Sequence, residues 1–466
     1  MGIAQTKTLD LANDSISKLI WTFAIPGIIS QVMTAIYNLV DQVFIGRGIS
    51  DIAIAATNIS MPLTSIVTAV AALIGLGTAA NFNLSMGRKD EDGAGHFLGN
   101  ALIYLTFSGL VLGIFSFIFL KPMLYGFGAT DAIFAYAYPY AQIICIGIPF
   151  GIFATGCSYL IRSDGNPNFA MAILLSGAIF NLFADPLFLF VFHMGISGIA
   201  LATALGQVLS AFLGVYYLVR KFRTIRIKRI YFSAKVRILW EIIISGSAIF
   251  MTHVCAIIVQ ILQNNSFRYY GGLSVYGSEI PLAAIGAVSK VSMVLMSIVI
   301  GVALGCQPIL SFNYGNKDYS RVQKTYLTAI RHTSIVSVAA FLILQLFPSQ
   351  ITALFGSGNN LFYDFAVRYI HIYLIMLFAG GILPVSSTFF TSIGKAKIGM
   401  YLTLLKQVVL LIPLTLILPK FKGIDGVLLA GPITDGIILV VTVYLVSREL
   451  RQIKTMNSED KGKTNG

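Results

Sequence analysis

The sequence predicts an all-α polytopic membrane protein with about twelve transmembrane helices in two six-helix lobes, related by a pseudo-two-fold along the membrane normal. Three observations carry that expectation. Residues of the AVILMFWYC set make up 56% of the 466-residue chain and glycine adds 43 more, while only 11% are charged. Apolar runs long enough to cross a bilayer recur along the whole length, about 20 helical residues being needed for each crossing. Short sequence matches also return at a constant offset of 228 residues.

The same composition excludes other classes. Soluble domains carry about 25% charged residues, and a soluble chain of this length could not coat its surface with 11%. A soluble enzyme and a disordered chain are ruled out, as are collagen-like and disulfide-rich classes. The four cysteines, Cys145, Cys157, Cys255 and Cys306, lie inside apolar runs without CxxC spacing and read as buried free thiols. The formal charge of +13 does not signal nucleic acid, because the basic residues sit in short loops between apolar segments.

In chain order the expected spans are 16–43, 52–79, 95–120, 133–161, 168–193, 196–220, 238–263, 280–307, 325–347, 361–392, 398–418 and 424–447. The first does not read as a cleavable signal, since Asp10 and Asp14 flank it and its apolar run is too long. The N-terminus, even-numbered loops and C-terminal tail hold 23 Lys and Arg against 5 in the odd-numbered loops, which sets both termini in the cytoplasm. Eight basic residues fall between 220 and 237 and split the chain in half. The expected organisation is a first lobe at 1–219, a basic cytoplasmic linker at 220–237, a second lobe at 238–447 and a cytoplasmic tail at 448–466.

The halves resemble each other. Met86-Gly87-Arg88-Lys89-Asp90 returns as Tyr314-Gly315-Asn316-Lys317-Asp318, Gly195-Ile196-Ser197-Gly198 as Gly423-Ile424-Asp425-Gly426, and Leu76-Gly77 as Leu304-Gly305, each 228 residues on. An even number of spans per half gives both halves the same orientation, hence a parallel repeat with a cavity at its interface, an architecture suited to alternating access.

Charges inside the bilayer are the candidate functional residues. An Asp at mid-helix costs about 2.5–3.5 kcal/mol on insertion scales, so each needs a reason. Asp41 lies late in span one, and Gln31, Thr34, Tyr37 and Asn38 precede it at helical spacing, a polar stripe on an apolar helix. Asn181 and Asp185 share a face of span five, where Pro186 removes a backbone bond; Thr203, Gln207 and Ser210 share a face of span six. Oxygen-rich side chains on three helices suit a proton or a hard cation, sodium included. The second half offers His253, Gln260, Lys290 with Met293 on its face, Lys406, and Asp435 at the repeat position of Gln207. Asp435 reads equally as a second polar site or as a helix-packing partner. Pro26 and Pro186 are candidate hinges. The sequence contains no GxSxG, P-loop or HExxH motif, so it predicts no enzyme and no cofactor, and any uphill transport is driven by an ion gradient.

Pro26-Gly27 with Tyr37-Asn38-Leu39-Val40-Asp41, Arg162-Ser163-Asp164-Gly165-Asn166-Pro167, Asn181-Leu182-Phe183-Ala184-Asp185-Pro186 and Gly198-Ile199-Ala200-Leu201-Ala202-Thr203 together resemble the multidrug and toxic compound extrusion (MATE) transporters over nearly the whole chain. The resemblance implies export of cationic, amphipathic drugs and dyes in exchange for protons or sodium. It is closer to the DinF-like than to the NorM-like branch, whose acidic residues in spans seven and ten are missing. It carries a first-lobe coupling site over to Asp41, Asn181, Asp185 and Thr203. A further family asparagine in span four has no counterpart at Ser158-Tyr159, which favours a proton over sodium. The expected partners are small organic cations and the lipid bilayer, with no nucleic acid, and the chain is expected to act as a monomer in the cell membrane. A lipid-linked oligosaccharide flippase of the same superfamily is the alternative within transport, and a membrane-embedded transferase the alternative outside it.

Overall fold

The computed structural model describes the backbone of residues 10–464 apart from 50, 128, 130, 279 and 354–359, and the side chains of these except 35, 38, 39, 42, 43, 46, 47, 51, 52, 54, 55, 132, 287, 290, 291, 295 and 457–464. Among the described residues every regular element is helical. The first half runs α1 Ile16–Gly48, α2 Asp51–Gly87, α3 Glu91–Ile118, a short α4 Leu120–Gly126, α5 Asp131–Ser163, α6 Pro167–Pro186 and α7 Gly195–Arg220. The second half runs α8 Val236–Gly272, α9 Ile280–Gly315, α10 Tyr319–Leu346, a short α11 Pro348–Ala353, α12 Asn360–Tyr373, α13 Ile382–Ser392, α14 Ala396–Leu404, α15 Ile412–Lys422 and α16 Ile424–Thr464.

Among the described residues eleven helices are long and apolar enough to cross a membrane, and α12 with the segment Leu377–Ser392, bent by 49°, makes a twelfth if the two form one span. The bend has a local cause. Gly380 and Gly381 disfavour helix, and Pro384 lacks the N–H that would bond back to residue 380. Large apolar side chains point outward, as Phe107 at 64%, Phe212 at 68% and Val440 at 69% exposure illustrate. That is the pattern of a surface solvated by lipid tails rather than water.

The repeat is visible in the backbone. Lys89 and Lys317 both take positive φ, at 63° and 60°, a conformation that side chains with a Cβ rarely adopt. Each is followed by an aspartate that caps the next helix: Asp90 accepts from the Gly93 N–H at 2.8 Å, and Asp318 from the Arg321 N–H at 3.0 Å. The chain therefore makes the same strained turn twice, 228 residues apart.

The lobes meet through the same equivalent positions. In the first lobe α5 packs against α2, α3 and α7; across the seam α1 packs on α9 and α2 on α8, pairs that a two-fold interchanges. Gly87 lies so close to the Phe312 carbonyl, and Gly315 to the Leu84 carbonyl, that neither position has room for a Cβ. Gly77 likewise faces the backbone of α8 at Ile242, and Gly305 that of α1 at Phe23 and Ala24. Small residues let backbones approach where lipid removes the hydrophobic drive for association. Asn81 adds hydrogen bonds to Ser245 at 2.9 Å, and Gln307 to the Leu76 carbonyl at 3.0 Å. All of these contacts lie in the half of the molecule that carries the basic loops. The lobes are thus closed against each other at that end.

The segment between α7 and α8 is strapped to the first lobe rather than loosely joined. Asp164 accepts from the Tyr217 hydroxyl at 2.7 Å and the Thr224 N–H at 2.8 Å. Tyr231 donates to Asp92 at 2.7 Å, and Asn100 accepts from the Lys235 N–H at 2.8 Å.

Gly87→Ala is expected to lower stability in detergent by about 1–3 kcal/mol, because the opposing carbonyl is backbone and cannot yield. Gly126→Ala, where a Cβ meets nothing within 4 Å, is expected to stay within about 0.5 kcal/mol. Thermal unfolding of the two purified variants checks this; equal melting temperatures would refute the close-packed seam.

Candidate functional site

Three helices of the first lobe bring four polar side chains together. Asp41 comes from α1, Asn181 and Asp185 from one face of α6, and Thr203 from α7. Asn181 and Asp185 are one turn apart, so both point to the same side of their helix. The Asn181 amide donates to the Asp185 carboxylate at 3.3 Å and to the Thr203 hydroxyl at 3.1 Å. The carboxyl groups of Asp41 and Asp185 approach each other directly. Asp41, Asn181 and Asp185 are all buried, at 7%, 3% and 1% exposure. One oxygen of Asp41 is fully enclosed and, among the described residues, has no hydrogen-bond partner.

The site forms the floor of a cavity of about 330 Å³. Asp41 and Asn181 line it, with Thr34, Tyr37, Thr203 and Gln207, while Asp185 sits one layer behind. The sequence reading overlooked two further contributors. Tyr140 of α5 lines the cavity and is buried near both carboxylates. Thr57, Ser60, Thr64 and Thr68 present a stripe of hydroxyls from α2. Their spacing of three and four residues is the available signal, but a hydroxyl in a span commonly bonds its own helix, as Ser60 does to the Ala56 carbonyl at 3.0 Å.

Other sequence candidates fall elsewhere. Gln31 is half-buried on α1 outside the cavity lining, and Gln260 and Met293 are exposed on α8 and α9. The side chains of Asn38 and Lys290 lie outside the described residues. Pro26 stands inside the continuous helix α1, leaving the Thr22 carbonyl without its usual helical donor. Pro186 ends α6, and the chain continues as a π-helical turn at Leu187–Val191. Ser158, at the expected position of the span-four asparagine, bonds its own helix at the Thr155 carbonyl, and Thr155 instead faces the cavity. Among the described residues no cluster of three or more His, Cys, Asp or Glu could hold a metal.

The second lobe has a cavity of its own, about 410 Å³, lined by Thr252, His253, Tyr373, Lys406, Gln407 and Asp435 among mostly apolar neighbours. Its polarity differs. Among the described residues Asp435 is its one lining carboxylate, and it is paired with Lys406 at 2.8 Å.

Comparison with known proteins places this geometry. A family model described as MatE matches residues 26–187 and again 255–417, one match in each lobe. A Shewanella oneidensis protein named FAD transporter is 22% identical over 96% of this chain and 98% of its own length. The multidrug export protein MepA of Staphylococcus haemolyticus is 21% identical over 93% of each chain. An outward-facing structure of a multidrug resistance MATE family transporter of the MOP superfamily superposes with a TM-score of 0.88 at 22% identity, covering 97% of this chain and 99% of the other. A MOP superfamily transporter from Pyrococcus furiosus, described by a binding pocket of reverse polarity that suggests a different function, gives 0.89 at 22%, covering 96% and 99%. At such identity these structures speak to the fold alone. With both lobes matched, the chain belongs to the MatE family: it is a multi-span membrane transporter and not an enzyme.

Proposed function

We propose that the protein is a proton-coupled antiporter that exports cationic, amphipathic organic molecules across the cell membrane by alternating access, with both termini in the cytoplasm. One observation carries the reading: a buried carboxylate pair, Asp41 and Asp185, in which an Asp41 oxygen has no partner. A buried charge left uncompensated costs about 3–5 kcal/mol. The pair therefore holds either a coupling cation or a substrate cation, and binding one expels the other. That competition is what exchange requires, since an ion drives transport only by favouring one access state over another. The lobes are closed at the basic end, so on this orientation the state described is outward-facing.

A proton is favoured over sodium on two grounds. The Asn181 amide turns its nitrogen, a donor, toward Asp185 and Thr203, where a metal ion needs acceptors. The oxygen expected from an asparagine in span four is also absent, Ser158 being bonded within its own helix. A complete first-lobe site beside a second-lobe cavity whose one carboxylate is already paired supports kinship with the DinF-like branch. The relative named FAD transporter raises a second possibility, an anionic dinucleotide substrate. The carboxylate pair argues against it, and the same assay tests it.

Asp41→Asn and Asp185→Asn are each expected to reduce uphill ethidium efflux from proteoliposomes to the level of vesicles without protein. Reconstituted amounts should be unchanged, because removing an intramembrane charge lowers insertion cost. Wild-type efflux in either variant would remove that residue from the coupling site, and FAD export in place of ethidium export would overturn the substrate class. In sodium-free vesicles an imposed pH gradient should suffice to drive efflux by the wild-type protein. A strict sodium requirement at every pH would refute proton coupling.

A further inference from the structure

Lys406 and Asp435 stand in the second-lobe cavity with their charged groups 2.8 Å apart. Lys406 lies ten residues beyond Ala396, where α14 begins, and Asp435 eleven beyond Ile424, where α16 begins. At about 1.5 Å per residue each sits some 15 Å from a helix end, near the middle of the bilayer. The repeat assigns Gln207 to the position of Asp435 and Ala178 to that of Lys406. The lysine therefore has no cationic counterpart in the first lobe. Lys406 and Gln407 also fall within a π-helical segment, Leu405–Leu411, a distortion that clusters at functional sites. Gln407 lines the cavity, and its side-chain amide oxygen is fully enclosed and has no partner among the described residues. Lys406 and Asp435 themselves remain 28% and 35% exposed, so the cavity reaches the ion pair.

We propose that this cavity is a second cation-binding site, held occupied by the chain's own Lys406, whose ammonium fills the Asp435 carboxylate as the ammonium of a substrate would. Several features would serve an incoming organic cation. Asp435 supplies the charge, the idle Gln407 oxygen a further acceptor, and Tyr373 with Met296 and Met376 a polarisable apolar wall. A tethered ammonium can be displaced and returns without diffusing away, which makes the site one of low affinity and fast release. A lysine that merely held α16 against the π-helical segment would need neither the cavity nor the unpartnered acceptor beside it.

The test is chemical complementation. Lys406→Ala leaves the carboxylate without its cation, and n-butylammonium reproduces the missing side chain. Thermal unfolding of the full-length purified variant should rise by about 2 °C or more, saturably, as butylammonium chloride is added at constant ionic strength. Potassium chloride should give no such rise, and neither should Lys406→Ala/Asp435→Asn with the amine. Wild-type protein should respond at least tenfold more weakly. Equal stabilisation of the single and double variants, or none in either, would overturn the proposal. A Lys406→Ala chain that cannot be purified even with the amine present would also overturn it, since a displaceable lysine must be dispensable. The choice of ligand rests on the reading of the chain as a cation exporter, but the assay reads binding alone. A chain that exports no cation yet is rescued at Asp435 by butylammonium would sink the exporter reading and leave this one standing.

Discussion

Two carboxyl groups buried side by side in a low-dielectric cavity repel each other unless a positive charge joins them. Most of the first lobe is arranged around that constraint. Asp41 and Asp185 come from helices far apart in sequence, and Asn181 links the second of them to Thr203. Among the described residues no lysine or arginine lines the cavity. On the proposed function the compensating charge comes from outside the chain, as a proton, a metal ion or a substrate. The second lobe meets the same electrostatic demand differently, by supplying Lys406 to Asp435 from within. The two cavities differ in this respect: the second pairs its carboxylate with a lysine of its own, and the first, among the described residues, does not.

One helix joins this site to the rest of the molecule. α1 packs on α6 in its own lobe and on α9 across the seam. Its later half carries Asp41; its earlier half carries Phe23 and Ala24, which face Gly305, and Pro26 stands between them. The helix that carries Asp41 is thus also one that builds the lobe interface. The seam combines glycine contacts and a few hydrogen bonds with large side chains of α1, Leu19, Ile20 and Phe23, which are buried in the core of the second lobe.

Much of the fold is legible in the sequence because a bilayer imposes length and polarity on every span. The bent span is the exception: apolarity ran on through Gly380, Gly381 and Pro384, and only backbone chemistry shows the break. Asp41 and Asp185 are legible because carboxylates in apolar helices stand out, and Asn181 because it shares a face with Asp185; their grouping with Thr203 is what the resemblance to MATE transporters implies. Tyr140 and the α2 hydroxyls were missed because side chains of that kind satisfy themselves within a span and carry no charge to explain. Helical spacing placed Gln260 and Met293 on faces of their helices but could not tell which neighbour, if any, those faces meet; both are exposed. The pairing of Lys406 with Asp435 joins two consecutive spans, and linear sequence does not encode the distance between them. The basic stretch between the lobes looked like a tether, and its attachment to Asp164, Asp92 and Asn100 depends on tertiary contacts alone.

The central claim is that one cation is exchanged at the Asp41–Asp185 pair when substrate binds. Calorimetric titration of the purified protein with ethidium, in sodium-free buffers of different ionisation enthalpy, measures it most directly. The account predicts release of about one proton per ethidium bound, reciprocal with the effect of pH on affinity, and no release in Asp41→Asn. Ethidium binding with no proton released, or with the same release after Asp41→Asn, would contradict it.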